Sequence, residues 1–408
     1  RIDEHRKAGL TVEVRDQWGN RLSGVPVDIR MQAHAFPFGS AVAASKLLEA
    51  SSDGDQYRSV VTGAFNRVVI ENQLKWPRFE AQPQVGIDAV DWLVDRGIEV
   101  RGHTILWPSW RRCPDDVETL AGDPDALRQR VNGRIAGVTG AFAGKLVDWD
   151  VVNEPYSEHD IMDVLGDSEM VSWFHQARQG DSQAVLYLND YAILSATGTH
   201  SEHQDHFFDT VQYLVSSGAP IGGIGMQGHF QGFLTPPDTL YAVLERFKVF
   251  GLPIQVTEFD VDVPDRTVQA DYLRDFYTLL FSHPSVEGLL MWGFWEGRHW
   301  RPNAALYDMD WTLREHGQRW HDLVFGEWWT DVAGSSDAAG RFATRGFKGT
   351  YKVSVTYHGH TVVQPVELLE DRTVIVTVQT ASPRLSAFAA GLDGGGLLTL
   401  QVQKDSAR

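Results

Sequence analysis

The chain has 408 residues, with 36 Lys and Arg against 54 Asp and Glu, for a formal charge of −18. Acidity of that size argues against a phosphate-backbone or anionic-lipid partner, so neither nucleic-acid nor membrane binding is expected. The single cysteine, Cys113, excludes an intrachain disulfide and cysteine-based zinc or iron–sulfur centres, and no apolar run is long enough to span a bilayer.

A hydrophobic fraction of 43% with 22% charged residues fits a folded protein rather than a disordered one. The 14 Trp and 11 Tyr are many for this length. Flat rings with one polar edge suit the faces of sugars or other flat ligands. The opening segment RIDEHRKAGL has no apolar signal core, so a targeting segment is expected to be absent or removed.

In chain order, LTVEV (10–14), the turn residues DQWGN and VPVDIRM (25–31) predict an N-terminal β-hairpin. From residue 36 to 330 short apolar runs alternate with longer segments of helical period. The runs are FPFGSAV (36–42), RVVIE (67–71), IEVRGH (98–103), LVDWDVVNE (146–154), AVLYLND (184–190), IGGIGMQG (221–228), IQVTE (254–258) and GLLMWGF (288–294). Between them stand helix candidates such as VGIDAVDWLVDRG, PDALRQRVNGRIAGVTGAF and TVQADYLRDFYTLLFSH. Eight strand–helix repeats predict a (β/α)8 TIM barrel over 36–330. An open doubly wound sheet is the competing arrangement, but no GxGxxG follows the first strand. After Thr330 comes a Gly/Ser-rich stretch, VAGSSDAAG. GTYKVSVTYHGHTVV, VELL, RTVIVTV and LLTLQVQ then alternate at period two. Residues 1–35 and 331–408 together match the size of one small β-sandwich-like module. We expect both ends to contribute strands to one accessory module on the barrel, against the alternative of a separate C-terminal module.

Catalysis in such barrels sits at the C-terminal ends of the strands. Here those ends carry Glu71-Asn72 with Lys75 and Trp76, His103 then Trp107, and Asn153-Glu154-Pro155. Later ends carry Asn189-Asp190-Tyr191, Gln227-Gly228-His229 and Thr257-Glu258, then Trp292 with Glu296 and Trp300. No structural requirement puts polar groups at all of these ends together. Glu154 after strand four and Glu258 after strand seven face each other across the mouth. Paired carboxylates with aromatic platforms and amide donors match glycoside hydrolysis. His229 and Asp260 are expected to keep Glu258 ionised. Trp149, Trp107 and Tyr191 are expected to frame Glu154 and raise its pKa as a general acid requires.

The segments FNRVVIENQLKW, RGHTILW, WDVVNEP, LYLNDY, GIGMQGH, IQVTEFD and the Trp292–Trp300 pair resemble glycoside hydrolase family ten, the retaining endo-β-1,4-xylanases. The resemblance covers about residues 36–330. It implies a polysaccharide or oligosaccharide substrate, no cofactor and no metal, and a secreted or exported setting. It implies Glu154 as acid/base, Glu258 as nucleophile, and Asn153 on the 2-hydroxyl of the reacting sugar. His229 and Asp260 would orient Glu258, and Gln227 would line the same subsite. His103, Trp107, Trp292 and Trp300 would surround that sugar. Glu71, Asn72 and Lys75 would hold the next sugar on the non-reducing side, and Asn189 and Tyr191 would face the leaving group. The chain departs from the family where Pro108, Ser109 and Trp110 follow Trp107, replacing polar residues. That departure predicts weaker binding of the reacting sugar, and keeps open a retaining β-glycosidase for another β-linked glycan. A non-catalytic sugar-binding barrel is the third reading, and the retention of both carboxylates argues against it. The sequence HSEHQDH (200–206) reads as a solvated helix face rather than a metal site. Trp320, Trp328 and Trp329 read as packing against the β-module, and Cys113 as an exposed loop thiol.

Overall fold

The structure is a computed structural model that describes residues 1–379, so the expected strand LLTLQVQ lies outside the described residues. The chain divides into two compact units. One comprises residues 1–7 and 33–329; the other comprises residues 8–32 and the segment from 330 onward.

The first unit is a closed barrel of eight parallel strands. In chain order these are Phe38–Val42, Arg67–Ile70, Glu99–Gly102, Asp148–Asn153, Val185–Asp190, Gly223–Gln231, Ile254–Asp262 and Val286–Met291. Closure comes from the eighth strand, which pairs with both the first and the seventh. Strands covered on both faces need apolar residues almost throughout, which is why the runs read as continuous rather than alternating. The helices Ser52–Ala64, Pro83–Val94, Pro124–Phe142, Glu169–Gly180, Glu202–Ser216, Pro237–Phe247, Arg266–Ser282 and Glu315–His321 follow the eight strands in turn. Several begin on a side-chain cap: Ser51 accepts from Gly54 N, Asp123 from Ala126 N, and Asp265 from Thr267 and Val268 N.

Strands six and seven run further than expected, to Gln231 and Asp262. His229, Glu258 and Asp260 therefore stand within strands, on a hydrogen-bonded scaffold. Five of the tryptophans, Trp76, Trp149, Trp173, Trp320 and Trp328, are fully buried. Much of the tryptophan excess is thus core rather than sugar platform. Trp328 stacks on Phe38 and Trp320 tilts against Phe65, while Trp329 meets His34 and Phe325. These partners all lie in the barrel unit.

The second unit holds two sheets. Lys7–Asp16 lies centrally between Arg341–Phe347 and Arg372–Val378, pairing with the latter in parallel. Pro26–His34 joins Asp331–Ser335, Gly349–Tyr357 and His360–Leu368 in a four-stranded sheet. Strands from both ends of the chain thus share sheets. The N-terminal hairpin does not form: its two strands enter different sheets, and an isolated antiparallel bridge joins Arg15 only to Arg21 in the connection between them. The Gly/Ser-rich stretch after Thr330 contains a strand, Asp331–Ser335, paired antiparallel with residues 26–30. Pairing with a distant strand overrides the Gly/Ser composition there.

Inside the barrel a column of charge replaces apolar packing. Arg101 donates to Asp148 at 2.9 Å and also binds Asp150; Arg67 reaches Asp148 at 3.2 Å, and His103 Nδ1 lies 2.9 Å from Asp150. Arg101, Asp148 and Asp150 are each about 1% exposed or less. Removing one partner of such a network leaves uncompensated buried charge. Arg101→Met should therefore destabilise the barrel by about 3–5 kcal/mol. Denaturant unfolding followed by tryptophan fluorescence checks this, and a loss under about 1 kcal/mol would show that the column tolerates the vacancy.

Candidate active site

The mouth of the barrel opens into a cleft of about 550 Å³. Of the expected residues, Glu71, Asn72, Lys75, His103, Trp107, Glu154, Tyr191, Gln227, His229, Glu258, Trp292 and Trp300 line it. Asn153, Asn189 and Asp260 sit behind this lining.

The register of strands six and seven assembles one side. A shift between Met226 and Gln227 pairs Gln227 with Glu258 and His229 with Asp260. His229 Nε2 lies 3.2 Å from Glu258 Oε2, and its Nδ1 lies 2.9 Å from Asp260 Oδ2. Asp260 also accepts from Trp300 Nε1 at 2.7 Å and Arg301 Nη1 at 3.0 Å. Burial alone would lower the His229 pKa. The charge and hydrogen bond of Asp260, then those of Glu258, outweigh it and raise the imidazole to about 9. Burial would likewise push Glu258 up, but the hydrogen bond from His229 and nearby positive charge, Lys75 included, hold it below the usual carboxylate range.

The other carboxylate has a different setting. Glu154 follows strand four in the left-handed region, φ +56°, which is costly for a side chain with a Cβ. Its N–H donates to Asn189 O at 2.8 Å, and its own carbonyl accepts from Glu158 N at 3.0 Å. Gln227 Nε2 donates to Glu154 Oε1 at 2.8 Å and Trp107 Nε1 to Oε2 at 3.1 Å. Burial pushes the Glu154 carboxyl up to about 7; the Gln227 hydrogen bond works against this, and the charge of Glu258 adds to it. The two carboxyls are biased to opposite protonation states in one cleft.

Asn189 departs from expectation. It is fully buried and does not line the cleft. Its Nδ2 donates to Asn153 Oδ1 at 2.8 Å and Glu258 Oε1 at 2.9 Å, while its Oδ1 accepts from Thr257 at 2.7 Å. That occupies its amide beneath the carboxylates. Asn153 Nδ2, also buried, has no protein partner. Trp149 does not frame Glu154: its ring fills the space beside Gly102 and packs on Phe142. Glu296 pairs with Arg314 at 2.9 Å, and the neighbouring Trp295 stacks on Trp311.

Lys75 Nζ lies 5.2 Å from the Trp107 ring centre and donates to Asn72 at 3.1 Å. Arg112 stands over Trp107 at 3.8 Å and, with Arg111, pairs with the buried Glu158. Arg111, Arg112, Glu158 and Arg301 were not anticipated as cleft residues. Their only sequence signal was adjacency to Trp107, Glu154 and Trp300. Trp110 does not line the cleft, so the expected loss of binding to a reacting sugar has no basis in its bulk. In the histidine-rich segment His200 and His206 are exposed, as a solvated face requires, but His203 is not. Ser201 and Gln204 form a capping box, and the helix turns His203 inward, stacked on Tyr156 at 4.2 Å and 3.0 Å from buried Asp190. Cys113 is buried, its thiol pushed up to about 12 by desolvation. Among the described residues no group of three or more His, Cys, Asp or Glu side chains is arranged to hold a metal ion.

A sequence model described as glycosyl hydrolase family 10 matches residues 28–319. The chain belongs to this family. The resemblance drawn from the seven segments is borne out. Among relatives of this family 10 protein, the anti-sigma-I factor RsgI6 of Acetivibrio thermocellus is 36% identical, over 88% of the chain and 46% of that protein. Endo-1,4-beta-xylanase 1 of Arabidopsis thaliana is 30% identical, over 86% of the chain and 37% of that protein. The chain thus spans less than half the length of these two relatives. Native xylanase 10B of Thermotoga maritima shares the fold, with a TM-score of 0.65 at 24% identity, over 72% of the chain and 95% of that structure.

The elevated pKa of His229 rests on Asp260. Asp260→Asn should bring it down from about 9 towards an ordinary value near 6.5, read by NMR titration of the imidazole. An unchanged titration would show that Glu258 alone sustains it.

Proposed function

We propose that this family 10 chain is a retaining glycoside hydrolase that cleaves internal β-1,4-xylosidic bonds of xylan by double displacement. The observation that carries the reading is the opposite charge bias of Glu154 and Glu258 in one cleft. In the first step Glu258 attacks the anomeric carbon while Glu154 gives its proton to the departing glycosidic oxygen. In the second, ionised Glu154 takes a proton from water, which attacks the same carbon and releases Glu258. His229, charged and anchored by Asp260, holds the attacking carboxylate in place. The unpartnered Nδ2 of Asn153 is a ready donor for the 2-hydroxyl of the reacting sugar. His103, Trp107, Trp292 and Trp300 enclose that sugar, with Gln227 at its edge. Glu71, Asn72 and Lys75 hold the next unit on the non-reducing side, and Tyr191 faces the leaving group. Names of relatives that are xylanases support xylan as the substrate. A polymer of that kind lies outside cells, so the reading carries a secreted or exported setting with it.

Glu258→Ala should lose nearly all activity and recover part of it with added azide, giving a glycosyl azide of inverted anomeric form. Absence of rescue with an activated aryl xyloside would count against Glu258 as nucleophile. The pH profile of kcat/KM should fall as pH rises through about 7, where free-enzyme Glu154 loses its proton. Glu154→Gln should abolish that limb for substrates with good leaving groups; a persisting limb would assign the acid elsewhere.

Xylose lacks the hydroxymethyl group of glucose, which would have to fit beside the indoles of Trp292 and Trp300. A misfit of that size is worth roughly 10–200-fold in rate. An aryl xylobioside should therefore exceed an aryl cellobioside in kcat/KM by about that factor. Equal or reversed values would replace the xylanase reading with a broader β-glycosidase.

A further inference from the structure

A second hollow of about 560 Å³ adjoins the cleft. Arg111, Ser157 and Glu158 line both, so the two spaces share a wall. One side comes from the loop after strand three, with Trp110 and the short helical turn Asp115–Glu118; the other comes from the loop after strand four, from Glu154 to His159, and from Asp160 at the start of the next helix. These loops are tied together. Trp110 N donates to Asp160 Oδ2 at 2.9 Å, and Ile161 N donates to Pro108 O at 3.0 Å. Arg111 and the buried Glu158 make a two-point ion pair across the same gap.

The chemistry of this wall is specific. Its one cation, Arg111, is already engaged by Glu158. Asp115, Glu118 and Asp160 add three further carboxylates, and Trp110, half-buried, supplies an indole. An anionic ligand meets repulsion from these carboxylates. A neutral sugar has what the wall asks for: hydroxyls to donate to carboxylate oxygens and a C–H face to lie on an aromatic ring. The volume falls in the range of ordinary ligand pockets, about 300–1,000 Å³.

We propose that this hollow binds one neutral sugar unit of the substrate, outside the cleavage cleft, with Trp110 as its platform. The proposal rests on the xylanase reading above. The unit has two possible sources: a neutral sugar branch on the backbone, or a backbone residue beyond the leaving group. Pro108 and Trp110, which looked like losses beside the reacting sugar, then become parts of a separate recognition element.

The test compares wild type, Trp110→Ala and Trp110→Phe on four substrates. These are an aryl xylobioside, linear xylohexaose, an arabinofuranosyl-branched xylo-oligosaccharide and a uronosyl-branched one. The aryl xylobioside reports the cleft alone and should be cleaved equally by all three proteins, which also shows that the variants fold. Trp110→Ala should lower kcat/KM about tenfold on the arabinosyl-branched substrate, on xylohexaose or on both. Trp110→Phe should restore most of it. Loss on the branched substrate alone identifies a branch; loss on xylohexaose identifies the backbone. Unchanged values on both, or a larger loss on the uronosyl-branched substrate, would overturn the proposal. If the wild type fails on the aryl xylobioside, the xylanase reading itself falls, and this proposal with it.

Discussion

Two largely buried carboxylates that share one mouth cannot both be ionised at low cost. The site answers this constraint by giving each one different neighbours. Glu258 is met by a protonated imidazole whose own charge is fixed from behind by Asp260. Glu154 is met by an amide and an indole, neutral donors that orient it without cancelling its burial. Burial is the largest influence on both groups and pushes both upward. The sign of the outcome is decided by whether a charge stands close enough to oppose it.

That asymmetry depends on backbone register more than on side-chain choice. The shift between Met226 and Gln227 sets Gln227 against Glu258 and His229 against Asp260, so one strand supplies a donor to each carboxylate. Asn189 then ties Glu258 to Asn153 from below, and its backbone carbonyl holds the N–H of Glu154. One buried amide residue thus reaches both carboxyl-bearing residues. The positive φ of Glu154 is held by backbone hydrogen bonds on either side, as expected where surrounding structure over-determines a strained residue.

Below the mouth, the column through Arg67, Asp148, Arg101, Asp150 and His103 does comparable work for the opposite wall. Each charge in it has a partner within hydrogen-bonding reach, which is the condition for burying ions at tolerable cost. Its upper end fixes the ring of His103 through Nδ1 and presents that ring edge-on to Trp292, at 5.1 Å. His103 and Trp292 are therefore braced from the barrel interior.

Much of this was legible from the residues in order. Eight apolar runs, most with polar residues at or just beyond their ends, imply a closed barrel, and a closed barrel gathers strand ends at one mouth. Position within the repeat was enough to bring Glu71, His103, Glu154, Gln227, Glu258 and Trp292 together. What the order of residues left open was direction. Successive side chains on a strand point to opposite faces, and a one-residue shift in register exchanges them. Asn189 therefore looked like a substrate contact yet points beneath the site, and Trp149 looked like part of the frame of Glu154 yet fills space beside Gly102. Helix rotation did the same to His203, and loop pairing to Trp110 and Cys113. The N-terminal strands had a turn between them, but each found a better partner near the other end of the chain. Local pattern determines which segments become strands and helices; which neighbour each face meets is set by contacts between residues far apart in the chain, and only the tertiary structure decides those.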